Sequence, residues 1–159
     1  MCFSLEPLEL ARRRIVDVSQ LPPGDPAAAL NEVLNEVIDV VRDVKQARWR
    51  VARTHDLHSE LDSLFDDLRS WAALLLDQDE ELGVSPLAFM PSGADRRLPS
   101  AWAGAASDEE VRQVVGEHLG RLAQHVSAAL AQQQDGTSRA ALAEVERGVL
   151  AHQQALGAP

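Results

Sequence analysis

His58 and Asp62 stand four residues apart in a helix-forming run, a spacing that stacks an imidazole and a carboxylate on one helical face. Imidazole and carboxylate are the donor types of a transition-metal site, provided that a further position stays open. His55, Asp66 and Asp77, on the same stretch, complete the candidate donors. Asp62 and Asp77 are fifteen residues apart, ~22 Å along a helix rising 1.5 Å per residue, so one metal cannot bind both within one chain. A site holding both needs two chains. If two copies of the helix pack antiparallel about a twofold axis near Leu68, His58 of one copy comes level with Asp77 of the other, and Asp62 with Ala73. The preceding run adds Arg48, whose guanidinium stays protonated. A cation there repels a metal and pairs with carboxylates, since buried charges are normally paired.

Two amphipathic runs must position these groups. In the first, Leu30, Leu34, Val37, Val41, Val44 and Val51 recur at threes and fours, with Arg48 in the same inward stripe. In the second, Leu57, Leu61, Leu64, Leu68, Trp71, Leu75 and Leu82 form one apolar stripe, and His58, Asp62, Phe65, Arg69, Ala72 and Leu76 lie beside it. Asp25-Pro26 opens the first helix, which runs to about Ala52. At ~27 residues and ~40 Å it has the length of a bundle helix. A short turn around Arg53 and Thr54 follows, Thr54 is positioned to cap the second helix, and Gly83 with Pro86 ends it.

Residues 84–106 hold Pro86, Pro91 and Pro99 and read as a long connection. In a four-helix bundle such a segment crosses from one end to the other, so that the third helix runs parallel to the second. Phe89, Leu98 and Trp102 would pin it. Ser107 and Glu110 form a capping box that opens the third helix, with Val111, Val114, Val115, His118, Leu119, Leu122, Val126 and Leu130 inward. Asp135-Gly136-Thr137 breaks it, and the fourth helix runs from about Ser138 to Leu156 with Leu142, Val145, Val149 and His152 inward. His118, His125 and His152 read as core or surface histidines, and Asp79, Glu80 and Glu81 as a solvated face. The expected fold is all-α, a four-helix bundle over 25–157 preceded by an arm at 1–24 in which residues 8–18 form a short helix.

The 159 residues, 45% of them hydrophobic, suit one domain with a sizeable core. Tyr is absent and aromatic content is 4%, which argues against a sheet protein. Fifteen basic against 25 acidic residues give a net charge of −10, so the surface repels nucleic acid and anionic membranes and attracts cations. Arg12, Arg13 and Arg14 are flanked by Glu6, Glu9 and Asp17 and neutralise few phosphates. DNA binding is therefore expected to be weak or absent. Cys2 is the single cysteine, which fits a reducing compartment. No run reaches the ~18 apolar residues of a membrane span, and Glu6 and Glu9 interrupt any signal-like core. The expected location is cytoplasmic.

Lys45, Ala47 and Trp49, then His58, Leu61 and Asp62, then Leu82-Gly83, resemble the helix A to helix B signature of the Dps family of mini-ferritins. The Asp135-Gly136-Thr137 turn is similar too, which extends the likeness over most of 27–156. The resemblance implies a ferritin-like bundle with a short extra helix in the crossover, and a homo-oligomeric shell, a dodecamer, with a twofold helix-2 interface. It also implies iron as the metal, bound and oxidised at a ferroxidase centre shared across that interface, in protection against oxidative stress. Carried over, the family's ligand positions fall on Arg48, His58 and Asp62 of one chain and on Ala73 and Asp77 of the other. His58, Asp62 and Asp77 keep a donor, Ala73 offers none, and Arg48 brings a positive charge. The expected centre is therefore degenerate, with Arg48 paired to Asp62 or to Asp77 of the other copy and His55 as an imidazole from an altered loop. A ferritin-fold structural or co-assembly subunit without iron chemistry is the alternative.

Overall fold

In the computed structural model the described residues are 16–17, 20–22, 24–53, 55–85 and 107–157. Four helices carry the fold: α1 (Pro26–Arg50), α2 (Asp56–Glu81), α3 (Asp108–Gln132) and α4 (Gly136–Ala155). Each begins at a residue whose side chain accepts a first-turn amide hydrogen. Asp25 caps α1 through the Ala27 N–H at 2.8 Å, with Pro26 at the first helical position where no amide is needed. Ser107 caps α3 in a reciprocal box, with Ser107 Oγ accepting from Glu110 N–H and Glu110 Oε2 accepting from Ser107 N–H. Asp135 caps α4 through Ser138 N–H, so that helix starts two residues before the expected Ser138.

At α2 the cap is His55, whose Nδ1 accepts from Leu57 N–H at 3.3 Å. The Thr54 cap expected from the sequence gives way to it, and Thr54 itself lies outside the described residues. A ring nitrogen can do what a hydroxyl does at this position, because all that the orphan amide requires is a lone pair.

Cross-helix contacts fix the directions. Asp43 meets His118, and Glu36 meets His125, so α1 and α3 are antiparallel. Asp67 meets His152, and Gln78 meets Ser138, so α2 and α4 are antiparallel. The short 51–55 and 133–135 connections make α1/α2 and α3/α4 antiparallel as well. Hence α3 runs parallel to α2, as the crossover requires. The crossover itself, with Phe89, Leu98, Trp102 and any extra helix, lies outside the described residues beyond Ser85. Each helix packs on two neighbours, α1 and α4 both flanking α2 and α3.

The core follows from the helical period. Leu30, Val33, Val37, Val40, Val44, Ala47 and Val51 are buried at alternating threes and fours, and Leu57, Leu61, Leu64, Leu68, Trp71 and Leu75 answer them from α2. Against them lie Val111, Val115, Leu119, Leu122 and Val126 of α3 and Leu142, Val145 and Val149 of α4. The observed α1 face is broader than the expected stripe: Leu30, Leu34, Val37, Val44 and Val51 are inside as expected, Val33, Val40 and Ala47 join them, Val41 is only partly covered, and Arg48 stands at the edge. Because α1 packs on α2 and α3 together, its apolar face centres between two neighbours rather than on one stripe. Leu82, assigned to the α2 core stripe by its spacing, is exposed past the helix end.

Ahead of the bundle, β1 (Val16–Asp17) pairs in parallel with β2 (Val84–Ser85), which follows α2, with Val16 opposite Val84. The expected helix over 8–18 therefore does not reach Val16, whose strand ties this part of the arm to the end of α2; residues 1–15 lie outside the described residues.

Candidate functional site

The last turns of α1 and the first turns of α2 hold the candidate groups on opposite sides of the short 51–55 connection. Arg48 reaches across to Asp62, Nε to Oδ1 at 2.5 Å, and His58 Nδ1 approaches Oδ2 of the same carboxylate at 3.2 Å. Both oxygens of Asp62 are thereby taken, one by guanidinium and one by imidazole. The Arg48–Asp62 contact is an ion pair without hydrogen-bond alignment, since neither Nε nor Oδ1 finds a hydrogen-bond partner among the described residues. Phe65 completes the cluster: the Arg48 guanidinium carbon lies 4.7 Å from its ring centroid and that of Arg69 5.8 Å, within the range of cation–π attraction. Asp62 is 42% exposed, so water screens the pair, and its contribution is on the order of 1 kcal/mol.

This trio is what the sequence brings together as Arg48, His58 and Asp62. The other candidates are elsewhere. His55 engages both ring nitrogens, Nδ1 as the α2 cap and Nε2 toward Asp108 Oδ2 at 3.1 Å. Accepting at Nδ1 places the ring proton on Nε2, so this imidazole ties the start of α2 to the start of α3. Asp66, Ala73 and Asp77 are exposed on α2, and Asp77 is a further fifteen residues along the helix from Asp62. Among the described residues no group of three or more His, Cys, Asp or Glu side chains is placed to hold a metal ion.

The remaining histidines pair with carboxylates across helices. His118 Nδ1 lies 2.7 Å from Asp43 and is nearly covered, and His125 lies 3.4 Å from Glu36. His152 Nε2 sits 2.7 Å from Asp67, with the ring edge-on to Trp71 at 6.0 Å.

Asp79, expected on a solvated face, is fully buried, and burial raises its carboxyl to about 7; Glu80 and Glu81 are exposed as expected. The helical period carries the signal: position 79 lies four residues past Leu75 and eleven past Leu68, both in the core. Its acidic neighbours mask that signal in the sequence.

Around the trio the ends of α1 and α2 leave an open cleft of about 720 Å³, lined by Lys45, Arg48, Trp49, Arg53, His58, Ser59 and Asp62 among others. Trp49 is 79% exposed at its rim. Lower on the same pair of helices, Ile38, Val41, Ala72, Ala73 and Leu76 border a shallow apolar groove of about 260 Å³, with Arg69 at its edge.

No protein-family model matches the chain. No curated protein matches it in sequence. Among solved structures it is similar to one of Dps from Microbacterium arborescens in a high iron form, with a TM-score of 0.70, 23% identity, and coverage of 85% of this chain and 93% of that one. In fold, the four helices and their directions are thus similar to those of that Dps structure.

Proposed function

We propose that the chain is a subunit of a mini-ferritin-type shell that sequesters iron in the cytoplasm and so limits oxidative stress, with its inter-subunit oxidation centre closed by Arg48. The observation that carries this reading is the double occupation of Asp62 by Arg48 and His58 on a Dps-like bundle. Fe²⁺ would be the cargo, drawn by a net charge of −10 per chain. The apolar groove between α1 and α2 supports a twofold contact with a second copy. In that contact Asp77 of the other copy comes level with His58 and can join the Arg48 network. Twelve copies is the shell size that the resemblance implies. In this reading residues 1–24 are an arm to the 25–157 bundle, and DNA binding is weak.

Native mass after aerobic addition of Fe²⁺ tests both halves at once. The expected result is a multi-chain particle that gains iron slowly. Arg48→His removes the blocking charge and adds an imidazole, and is expected to speed aerobic oxidation roughly tenfold or more, since two charges ~4 Å apart near a surface interact by about 4 kcal/mol before Asp62 offsets part of it. Brisk oxidation by the unaltered chain, with no gain in the variant, would show that Arg48 does not block the centre. The alternative is a structural or co-assembly subunit without iron chemistry. A particle that takes up no iron at all would select it.

A further inference from the structure

The cleft beside Arg48 has the wrong charge for a metal and a suitable one for an anion. Lys45, Arg48 and Arg53 line it against one carboxylate on the described lining, Asp62, which leaves two positive charges on a chain whose total is −10. Asp62 meets Arg48. Lys45 and Arg53 are exposed, and neither meets a carboxylate among the described residues. The Lys45 ammonium stands 5.9 Å from the Trp49 ring centroid. Ser59 adds a hydroxyl on the α2 side.

We propose that this cleft binds a small phosphate-bearing anion. Two unneutralised positive charges match the charge of hydrogen phosphate, and guanidinium and ammonium groups are the side chains that hold phosphate oxygens best. Like charges gathered at one place cost free energy unless a counter-anion joins them, so the ligand relieves a repulsion built into the folded chain. Nucleic acid fits less well, because two or three cations neutralise few phosphates while the rest of the surface repels a polyanion. Trp49, exposed at the rim, offers a face on which a base can stack. The site therefore admits inorganic phosphate or a mononucleotide.

The cleft is lined by one chain, and a second copy's Asp77 beside Arg48 would lower its positive excess from two charges to one, so the inference does not need the shell reading. A chain that stayed monomeric and took up no iron would still bind phosphate.

Titration calorimetry of the full-length protein in chloride buffer, with inorganic phosphate and with adenosine monophosphate as probes, tests it. Saturable binding is expected, weakening by about tenfold or more in Lys45→Ala/Arg53→Ala, whose two side chains are exposed and dispensable to the core. Adenosine monophosphate binding tighter than phosphate, with the difference lost in Trp49→Ala, would assign the site to a nucleotide. Equal affinities would assign it to inorganic phosphate. Absence of saturable binding of either probe, or equal binding by the Lys45→Ala/Arg53→Ala protein, overturns the proposal.

Discussion

Asp79 is a carboxylate buried in the described core. Its side chain is fully covered, both carboxylate oxygens lack a hydrogen-bond partner among the described residues, and it sits in the last turn of α2, where the helix dipole disfavours negative charge. Burial raises its pKa from 3.8 to about 7. Below the unfolded value, folded and unfolded chains both carry the proton and nothing is lost. Between that value and about 7 the folded chain keeps a proton that the unfolded chain has released. Stability then falls by up to about 1.4 kcal/mol per pH unit, and above 7 the loss levels off at several kcal/mol at most. Asp79→Asn removes this titration while leaving an amide in the same space. We expect it to stabilise the chain by roughly 1–3 kcal/mol at pH 8 and hardly at all at pH 4. Urea unfolding across that range reads the difference, and parallel pH profiles for the two proteins would contradict it. The Arg48–Asp62–His58 trio, by contrast, was legible in the sequence because a four-residue spacing and an inward-leaning cation need only helical arithmetic. The His55 cap was not, since Thr54 next to it is the better capping residue on intrinsic grounds.

At the scale of elements, the seam between α2 and α4 depends on one missing side chain. A Cβ on Gly148 would stand 2.1 Å from Trp71 Cζ2 and 2.9 Å from two further ring atoms. The indole therefore occupies the notch that the glycine leaves, 5% exposed, with His152 against its edge and Asp67 holding His152 in turn. Glycine in mid-helix costs roughly 0.5–1 kcal/mol against alanine, yet Gly148→Ala is expected to destabilise by about 1–3 kcal/mol, because overpacking a rigid ring outweighs the propensity gain. Pairing it with Trp71→Leu should recover part of that loss, a coupling that a double-mutant cycle in thermal unfolding measures. An additive cycle would mean that the ring moves aside freely. Helix extents, the Ser107–Glu110 box and the parallel run of α2 and α3 were all legible, because caps and periodicity are local. The broadening of the α1 face to Val33, Val40 and Ala47 was not, since a helix packed on two neighbours divides its apolar face according to where they lie.

For the whole molecule, charge and apolar surface pull in opposite directions. A chain at −10 repels its own copies, so association needs a contact in which buried apolar area exceeds that repulsion. The α1/α2 face offers one, with Ile38, Val41 and Ala72 partly covered, Ala73 exposed and Leu76 38% exposed around a common groove. The groove itself could not be read from either helix alone, because Val41 was expected inside and Ile38 fell in no stripe, while Ala72 and Leu76 only flank the α2 core. If two copies meet there, a charge at Leu76 would be buried in the contact, once from each copy. Leu76→Glu is then expected to reduce the light-scattering mass at micromolar concentration toward that of one chain, while the circular dichroism of the bundle stays unchanged, since Leu76 is not part of the core. Raising the salt concentration should favour assembly of the unaltered chain, as screening weakens repulsion between acidic copies over distances beyond about 10 Å at 0.1 M. A one-chain mass for the unaltered protein, or an undiminished mass for Leu76→Glu, would mean that this groove is not where copies of the chain meet.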